Sequence, residues 1–89
     1  MKNGMKVFFY IDKDGHKTNF LSIESKRDLR GHRIMNYISE ELERCGLGNK
    51  GTCDTLAYDL AHNGQAQVTD DTGTYTLGID DVPVVPTLV

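Results

Sequence analysis

The sequence is short of several residues that mark particular classes of protein. Among its 89 residues it has no tryptophan, two cysteines and two prolines, Pro83 and Pro86. Two cysteines are too few for the disulfide scaffold of a small secreted domain. Because both prolines lie near the carboxyl end, the rest of the chain is free to form helices and strands. The sequence therefore predicts one small domain that folds around its own hydrophobic core.

Long hydrophobic runs are also missing. The longest uncharged apolar run is residues 7–11, far shorter than a membrane span, and the amino terminus lacks the apolar segment of a signal peptide. We therefore expect a cytoplasmic protein. In that reducing compartment Cys45 and Cys53 should be free thiols, with a disulfide between them as the alternative.

No catalytic motif or metal-binding spacing is present. The segment Asp12-x-Asp14-Gly15 begins like a calcium loop, but Ile23 stands where a bidentate glutamate should close it. It predicts a turn instead. The three histidines and two cysteines also lack the spacing of a zinc site. The sequence therefore predicts no metal ligand and no cofactor.

The clearest element is an amphipathic helix predicted over residues 25–47. Ser25 and Asp28 predict a capping box at its start, and Gly46 followed by Leu47 predicts a Schellman motif at its end. Apolar and small residues recur every three or four positions and should be buried against a second helix. This stripe consists of Gly31, Ile34, Met35, Ile38, Leu42 and Cys45.

The remaining elements are four strands and a short helix. Strands are predicted at residues 6–11 and 16–23 around the turn at 12–15, and at 65–70 and 74–79 around a second turn. A helix capped by Thr52 or Asp54 should run to about His62. The order ββααββ predicts an α+β domain, with an antiparallel sheet of two hairpins and both helices packed on one face.

Two strands have informative faces. In the first, Val7, Phe9 and Ile11 alternate with Phe8 and Tyr10, so both faces are apolar. This pattern indicates a central strand that is covered on two sides, or covered on one side by a partner. In the second, alternation places Leu21 and Ile23 on one face and Phe20 on the other.

The predicted domain covers residues 6–81. Residues 1–5 are expected to be frayed, and residues 82–89 form an extended carboxy-terminal arm because of their prolines. The arm is apolar, and we expect it to dock on a sheet edge of its own domain or of a second chain. Its candidate binding residues are Val84, Val85 and Leu88.

Charge is unevenly distributed along the chain. Up to Arg33 there are eight basic and four acidic residues, a balance of +4, and beyond it two basic and nine acidic residues, a balance of −7. One solvent-facing line of the predicted long helix forms a candidate basic surface. It consists of Lys26, Arg30, Arg33, Tyr37 and Arg44. Its alternative interpretation is an ordinary solvated helix face.

Acidic residues form a second candidate surface. If the second hairpin brings its ends together, a cluster able to meet a basic partner results. Its members are Asp70, Asp71, Asp80 and Asp81. The alternative is that each aspartate serves a turn.

These features favour a small non-enzymatic protein-binding or regulatory domain, with a homodimer as one form of its assembly. In size and composition the chain resembles the accessory and inhibitor proteins of phages and other mobile elements. Two alternatives stay open. One is a nucleic-acid-binding module that uses the basic line of the long helix, and the other is a small thiol enzyme that uses Cys53.

Overall fold

Four strands and two helices follow one another in the predicted order ββααββ in the computed structural model, which describes residues 4–83. The elements are β1 (Gly4–Ile11), β2 (Lys17–Glu24), α1 (His32–Arg44), α2 (Lys50–Asn63), β3 (Gln65–Asp70) and β4 (Gly73–Pro83). All neighbouring strands are antiparallel. The predicted α+β class is therefore confirmed. Neither helix in this part of the chain has the length and hydrophobicity needed to cross a membrane.

The sheet has the strand order β2-β1-β4-β3. The two predicted hairpins, β1 with β2 and β3 with β4, lie side by side because β1 also pairs with β4. This central pairing runs from Gly4 opposite Pro83 to Ile11 opposite Thr76. The first and last strands of the described chain are thus the two inner strands.

The hydrophobic core lies between one face of the sheet and the two helices. Ile38 and Leu42 of α1 are fully buried, as predicted from the apolar stripe. They belong to one cluster with side chains from α2 and from the sheet, among them Leu56, Leu60, Phe8 and Leu77. Burying side chains of this size typically contributes about 1.5–3 kcal/mol each.

The start of α1 differs from the prediction. The helix begins at His32 with Gly31 as its N-cap, and no side chain caps it. The Ser25 amide donates to the Gly4 carbonyl at 3.0 Å, and the Asp28 carboxylate accepts from the Arg30 amide at 3.0 Å. The predicted capping box is therefore wrong, because this Asp28 bond forms a local turn that competes with helix.

The contact between the helices also differs in detail. Since Gly31 is the N-cap of α1, it is not part of the buried stripe. Instead, Ser39 of α1 is buried, and its hydroxyl donates to the carboxylate of Asp54 in α2 at 2.6 Å. Ala57 of α2 is also buried in the contact between the helices.

The end of α1 is a Schellman motif, as predicted. Gly46 has a φ of 79° and its amide donates to the Glu43 carbonyl, while the Leu47 amide donates to the Leu42 carbonyl at 3.2 Å. Helix α2 is capped by Asn49, whose side chain accepts from the Thr52 amide at 2.9 Å. Neither Thr52 nor Asp54 is the cap, so this helix begins earlier than predicted.

A β-bulge in β2 changes the face on which Phe20 lies. Phe8 pairs with Leu21 and Phe9 pairs with Asn19, so Phe20 is the extra residue. Side chains of adjacent residues in such a bulge point to the same side of the sheet. The Phe20 ring accordingly lies 6.3 Å from Phe8 and 6.1 Å from Tyr10, on the core face. The prediction that Phe20 faces away from Leu21 is wrong.

Two domain boundaries also shift. Gly4 and Met5, assigned to a frayed terminus, are paired residues of β1, and Val82 and Pro83, assigned to the arm, are paired residues of β4. The backbone pairing with the opposite strand extends the sheet by two residues at this end. The rest of the predicted arm, residues 84–89, lies outside the described part of the chain.

Candidate functional site

The candidate site is the sheet face that lies opposite the helices, called here the open face. Phe8 points into the core, so its neighbours Val7 and Phe9 point to the other side of β1. The apolar residues of this face form the open-face stripe. They are Met5, Val7, Phe9, Ile11 and Val82.

Phe9 lies at the middle of the stripe and is held in place by its neighbours. It pairs with Gly78 of β4, which is buried beneath its ring. A β-carbon at position 78 would lie 2.6 Å from Cζ of Phe9, so only glycine leaves room for the ring. The Lys17 Nζ lies over the ring, 4.2 Å from its centroid, a cation–π distance. The aromatic ring is thus presented in one orientation.

The charges of the open face are neutralised in pairs. The Lys17 Nζ that contacts Phe9 also lies 2.6 Å from the carboxylate of Asp80, so this pair joins β2 to β4 across β1. At the rim, Glu24 lies 3.5 Å from Lys26. The other polar side chains that β3 and β4 place on this face are hydroxyls and amides, and Thr69 and Thr74 hydrogen-bond to each other at 3.0 Å. The face is therefore apolar at its centre and balanced in charge around it.

Nothing within residues 4–83 covers this face. Both helices pack on the opposite side, where the whole buried core lies. Val7, Phe9 and Ile11 remain partly exposed, and Val82 is 43% exposed. Both faces of the first strand are apolar, but within these residues only the face towards the helices is covered.

The four aspartates do not form the predicted cluster. Asp70 and Asp71 lie at the β3–β4 turn, whereas Asp80 and Asp81 lie opposite Val7 and Lys6 near the other end of β4. Seven residues of extended strand separate Gly73 from Asp80, a distance of about 23 Å. The clustering prediction is wrong because these residues lie at opposite ends of one strand.

Each of these aspartates has its own local role. The Asp70 carboxylate accepts from the Thr72 hydroxyl at 2.6 Å and from its amide at 2.8 Å, and these bonds lower the pKa of Asp70. Asp81 accepts from Lys6 at 3.1 Å on the helix side of the sheet. Among the four, Asp80 alone belongs to the open face.

The predicted basic line is interrupted. Lys26 and Arg30 precede α1, so they do not continue the helical line of Arg33 and Tyr37. Lys26 is paired with Glu24, and the Arg30 guanidinium lies 3.3 Å from Asp28. The Arg30 amide and guanidinium both hydrogen-bond Asp28 and lower its pKa. This surface is therefore a mixed-charge loop followed by a helix face on which Tyr37 is 45% exposed.

Cys53 does not have the setting of a reactive thiol. It is fully buried and its Sγ lies 3.5 Å from the Gly48 carbonyl oxygen. Burial raises the pKa of the thiol, and the negative charges of Glu43 and Asp54 raise it further. Burial likewise raises the pKa of Cys45. Both cysteines are free.

We expect Cys53 to react slowly with a soluble disulfide reagent at neutral pH, since thiolate is scarce and the sulfur is inaccessible. Titration of thiols over time should give one faster phase from the partly exposed Cys45 and one slow phase from Cys53. The variant Cys45→Ser assigns the phases. Rapid modification of Cys53 in the folded variant would contradict the expected slow reaction and would favour the thiol-enzyme alternative.

The turn at Asp12 follows the prediction. One Asp12 carboxylate oxygen accepts from the amides of Asp14 at 2.9 Å and His16 at 3.0 Å, and the His16 bond is the main cause of the lowered Asp12 pKa. Potential ligand atoms of Asp12, Asp14 and His16 lie within 4.8 Å of one another. The carboxylate bonds are explained by the turn itself.

The sequence prediction missed Val7, Phe9, Ile11 and Lys17 as site residues, although the two-sided pattern of the first strand signalled an uncovered face. Its candidates Val84, Val85 and Leu88 lie outside the described residues. Comparisons of the chain with models of protein families, with curated proteins and with solved structures found no match.

Proposed function

We propose that this chain is a protein-binding domain and that the open face of its sheet is the binding surface. The observation that supports this most directly is the open-face stripe, with Phe9 held over Gly78 at its centre. Contiguous apolar surface on a monomer is typical of interaction sites. An aromatic anchor surrounded by polar side chains is also the usual composition of a protein interface.

The shape of the surface favours a protein over a small ligand. Small molecules bind in concave sites that bury most of their surface. The open face is one side of an extended antiparallel sheet, and a flat partner such as another sheet can follow its contour. Ordering the Phe9 ring before binding reduces the entropy that association costs.

Within this proposal, the chain is an accessory or inhibitor-type regulatory protein of the cytoplasm. A domain of this size with one apolar interaction face fits a role that consists of occupying a partner's surface. The free state of both cysteines agrees with a reducing compartment. Phage or mobile-element origin remains part of the proposal on the grounds of size and composition alone.

The test is affinity capture from the native host with the tagged full-length chain, followed by mass spectrometry. The variant Val7→Thr with Ile11→Thr keeps residues that favour strands but makes the stripe polar. The control is Tyr58→Ser, because Tyr58 is 54% exposed on α2, away from the open face. We expect partners captured by the wild type and the control to be lost with the double variant.

Two results would contradict the proposal. One is a set of partners that is unchanged by the double variant, and the other is a set lost equally with the Tyr58→Ser control. Circular dichroism and thermal unfolding of each variant separate a lost surface from a lost fold.

Nucleic-acid binding is the second candidate. It is favoured by one observation, that α1 starts without a side-chain cap or an acidic residue in its first turn and with Arg33 beside it. The pairing of Lys26 and Arg30 with acids of the same chain weighs against it. Gel-shift assays at several salt concentrations test this candidate. Tight binding that falls steeply with salt, and that is abolished by Arg30→Glu with Arg33→Glu, would place nucleic-acid binding first.

A further inference from the structure

We infer that the partner of the open face is a second copy of this chain, which packs its own open face against the first to form a two-fold symmetric dimer. This inference rests on the proposed function, since it names the occupant of the same surface. It also gives the homodimer considered from the sequence a defined interface.

The charge of the open face favours a second copy. The whole chain has a net charge of −3, so two copies repel each other at long range. The open face does not add to this repulsion, because its central charges, Lys17 and Asp80, are paired at 2.6 Å within the same chain. Two such faces can meet without placing unpaired like charges together. An interface for a strongly basic or acidic partner would instead present an excess of one charge.

The polar residues around the stripe are also suited to a second copy. Around the stripe, β3 and β4 present hydroxyl and amide side chains such as Gln67 and Thr76. Each of these groups both donates and accepts hydrogen bonds. A surface made of such groups is complementary to itself, which a two-fold interface requires because the same patch contributes both sides.

The two edges of the sheet are poor sites for a second copy. The outer strand β2 contains the bulge at Phe20, which disrupts a regular ladder. The other outer strand, β3, has only six residues and follows α2 after a single glycine. Face-to-face packing leaves both edges unused and covers the apolar stripe.

The geometry of the stripe is consistent with this arrangement. With the two-fold axis lying between the two sheets, over the middle of β1 and at right angles to it, the β1 strands of the two copies run in opposite directions. Phe9 of one copy then packs against Val7 of the other, and the reciprocal contact follows by symmetry. Stacked sheets of this kind lie about 10 Å apart, which leaves space for one interdigitated layer of side chains.

The size of the face predicts a weak dimer. Four strands of about eight residues present a plane of roughly 500 Å² per copy. Two copies together therefore bury about 1,000 Å², near the lower limit of specific interfaces. The association should depend on concentration in the micromolar range rather than be permanent.

The experiment is sedimentation equilibrium of the full-length chain from about 5 to 500 μM, a range that brackets the affinity expected for an interface of this size. The wild type should rise from its 10.0 kDa monomer mass towards twice that value. The Val7→Thr with Ile11→Thr variant should raise the dimer Kd at least about tenfold, because it removes buried apolar surface. The Tyr58→Ser control should match the wild type.

Further variants guard against misfolding and a different interface. Val82→Lys places a charge at the exposed end of the stripe with little effect on the core, and it too should weaken the dimer. A chain ending at Pro83 tests residues 84–89 and should still dimerise. A dimer lost only with this truncation would overturn the inference, because the arm would then hold the copies together.

The outcomes separate this inference from the proposed function. A wild type that stays monomeric at all concentrations overturns the dimer, and so does a dimer insensitive to the stripe variants. If that monomer nevertheless captures a host protein through the open face, the protein-binding proposal stands and only the identity of the partner was wrong. A monomer with no stripe-dependent partner contradicts both.

Discussion

Replacing Leu42 with alanine should lower the free energy of unfolding by about 2–5 kcal/mol, as expected for a buried leucine deletion. Leu42 is fully buried in α1 between the second helix and the sheet, and its carbonyl also accepts the Schellman bond from Leu47. A domain of this length has a total stability of the order of 5–15 kcal/mol. The variant should therefore lose a large part of its stability, measured by urea denaturation.

The matched control for Leu42→Ala is Tyr37→Ala in the same helix. Tyr37 is 45% exposed, so its removal should change stability by no more than about 0.5 kcal/mol. Alanine has a higher helix propensity than either leucine or tyrosine, so propensity cannot explain a loss of stability in the Leu42→Ala variant. Equal denaturation midpoints for the two variants would show that Leu42 is not part of the core.

Replacing Gly78 with alanine should cost about 1–3 kcal/mol, the usual penalty for forcing a side chain into occupied space. The new β-carbon would lie 2.6 Å from Cζ of Phe9, so the ring must leave its position. Its displacement also breaks the contact with Lys17 at 4.2 Å. The measurement is the midpoint of thermal or urea unfolding, compared with Gly51→Ala, where the nearest atom is 3.6 Å away.

A double-mutant cycle identifies the cause of the Gly78 effect. In the Phe9→Ala background there is no ring to displace, so Gly78→Ala should cost much less there than in the wild type. An equal cost in both backgrounds would assign the effect to the backbone of β4 rather than to the ring. The cycle thus tests directly whether Phe9 is held by glycine at position 78.

Local chemistry made several elements predictable from the sequence. The Schellman motif depends only on Gly46 and the apolar residue after it, and both hairpins follow from turn residues between alternating strands. The start of α1 was not predictable in this way. Asp28 can cap a helix or form a local turn, and the choice depends on the bond between Ser25 and Gly4, which is made only in the folded chain.

The candidate site was visible only in part, because it depends on contacts between distant residues. The pattern of β1 showed two apolar faces, but the face left open depends on where the helices pack. The pair formed by Lys17 and Asp80 requires β1 to lie between β2 and β4, which no local pattern specifies. The separation of Asp70 from Asp80 likewise follows from the length of β4.

The position of β1 and β4 at the centre of the sheet has a consequence for folding. The β1–β2 hairpin and the helix pair are local and can form early, but β1 gains its second neighbour only when β4 has been synthesised. Bringing β4 to β1 closes a long loop of chain, and this costs conformational entropy before the β1–β4 hydrogen bonds form. Incomplete translation products that end before β4 should therefore leave the edge of β1 that pairs with β4 unpaired, and these are the species that chaperones and proteases would meet.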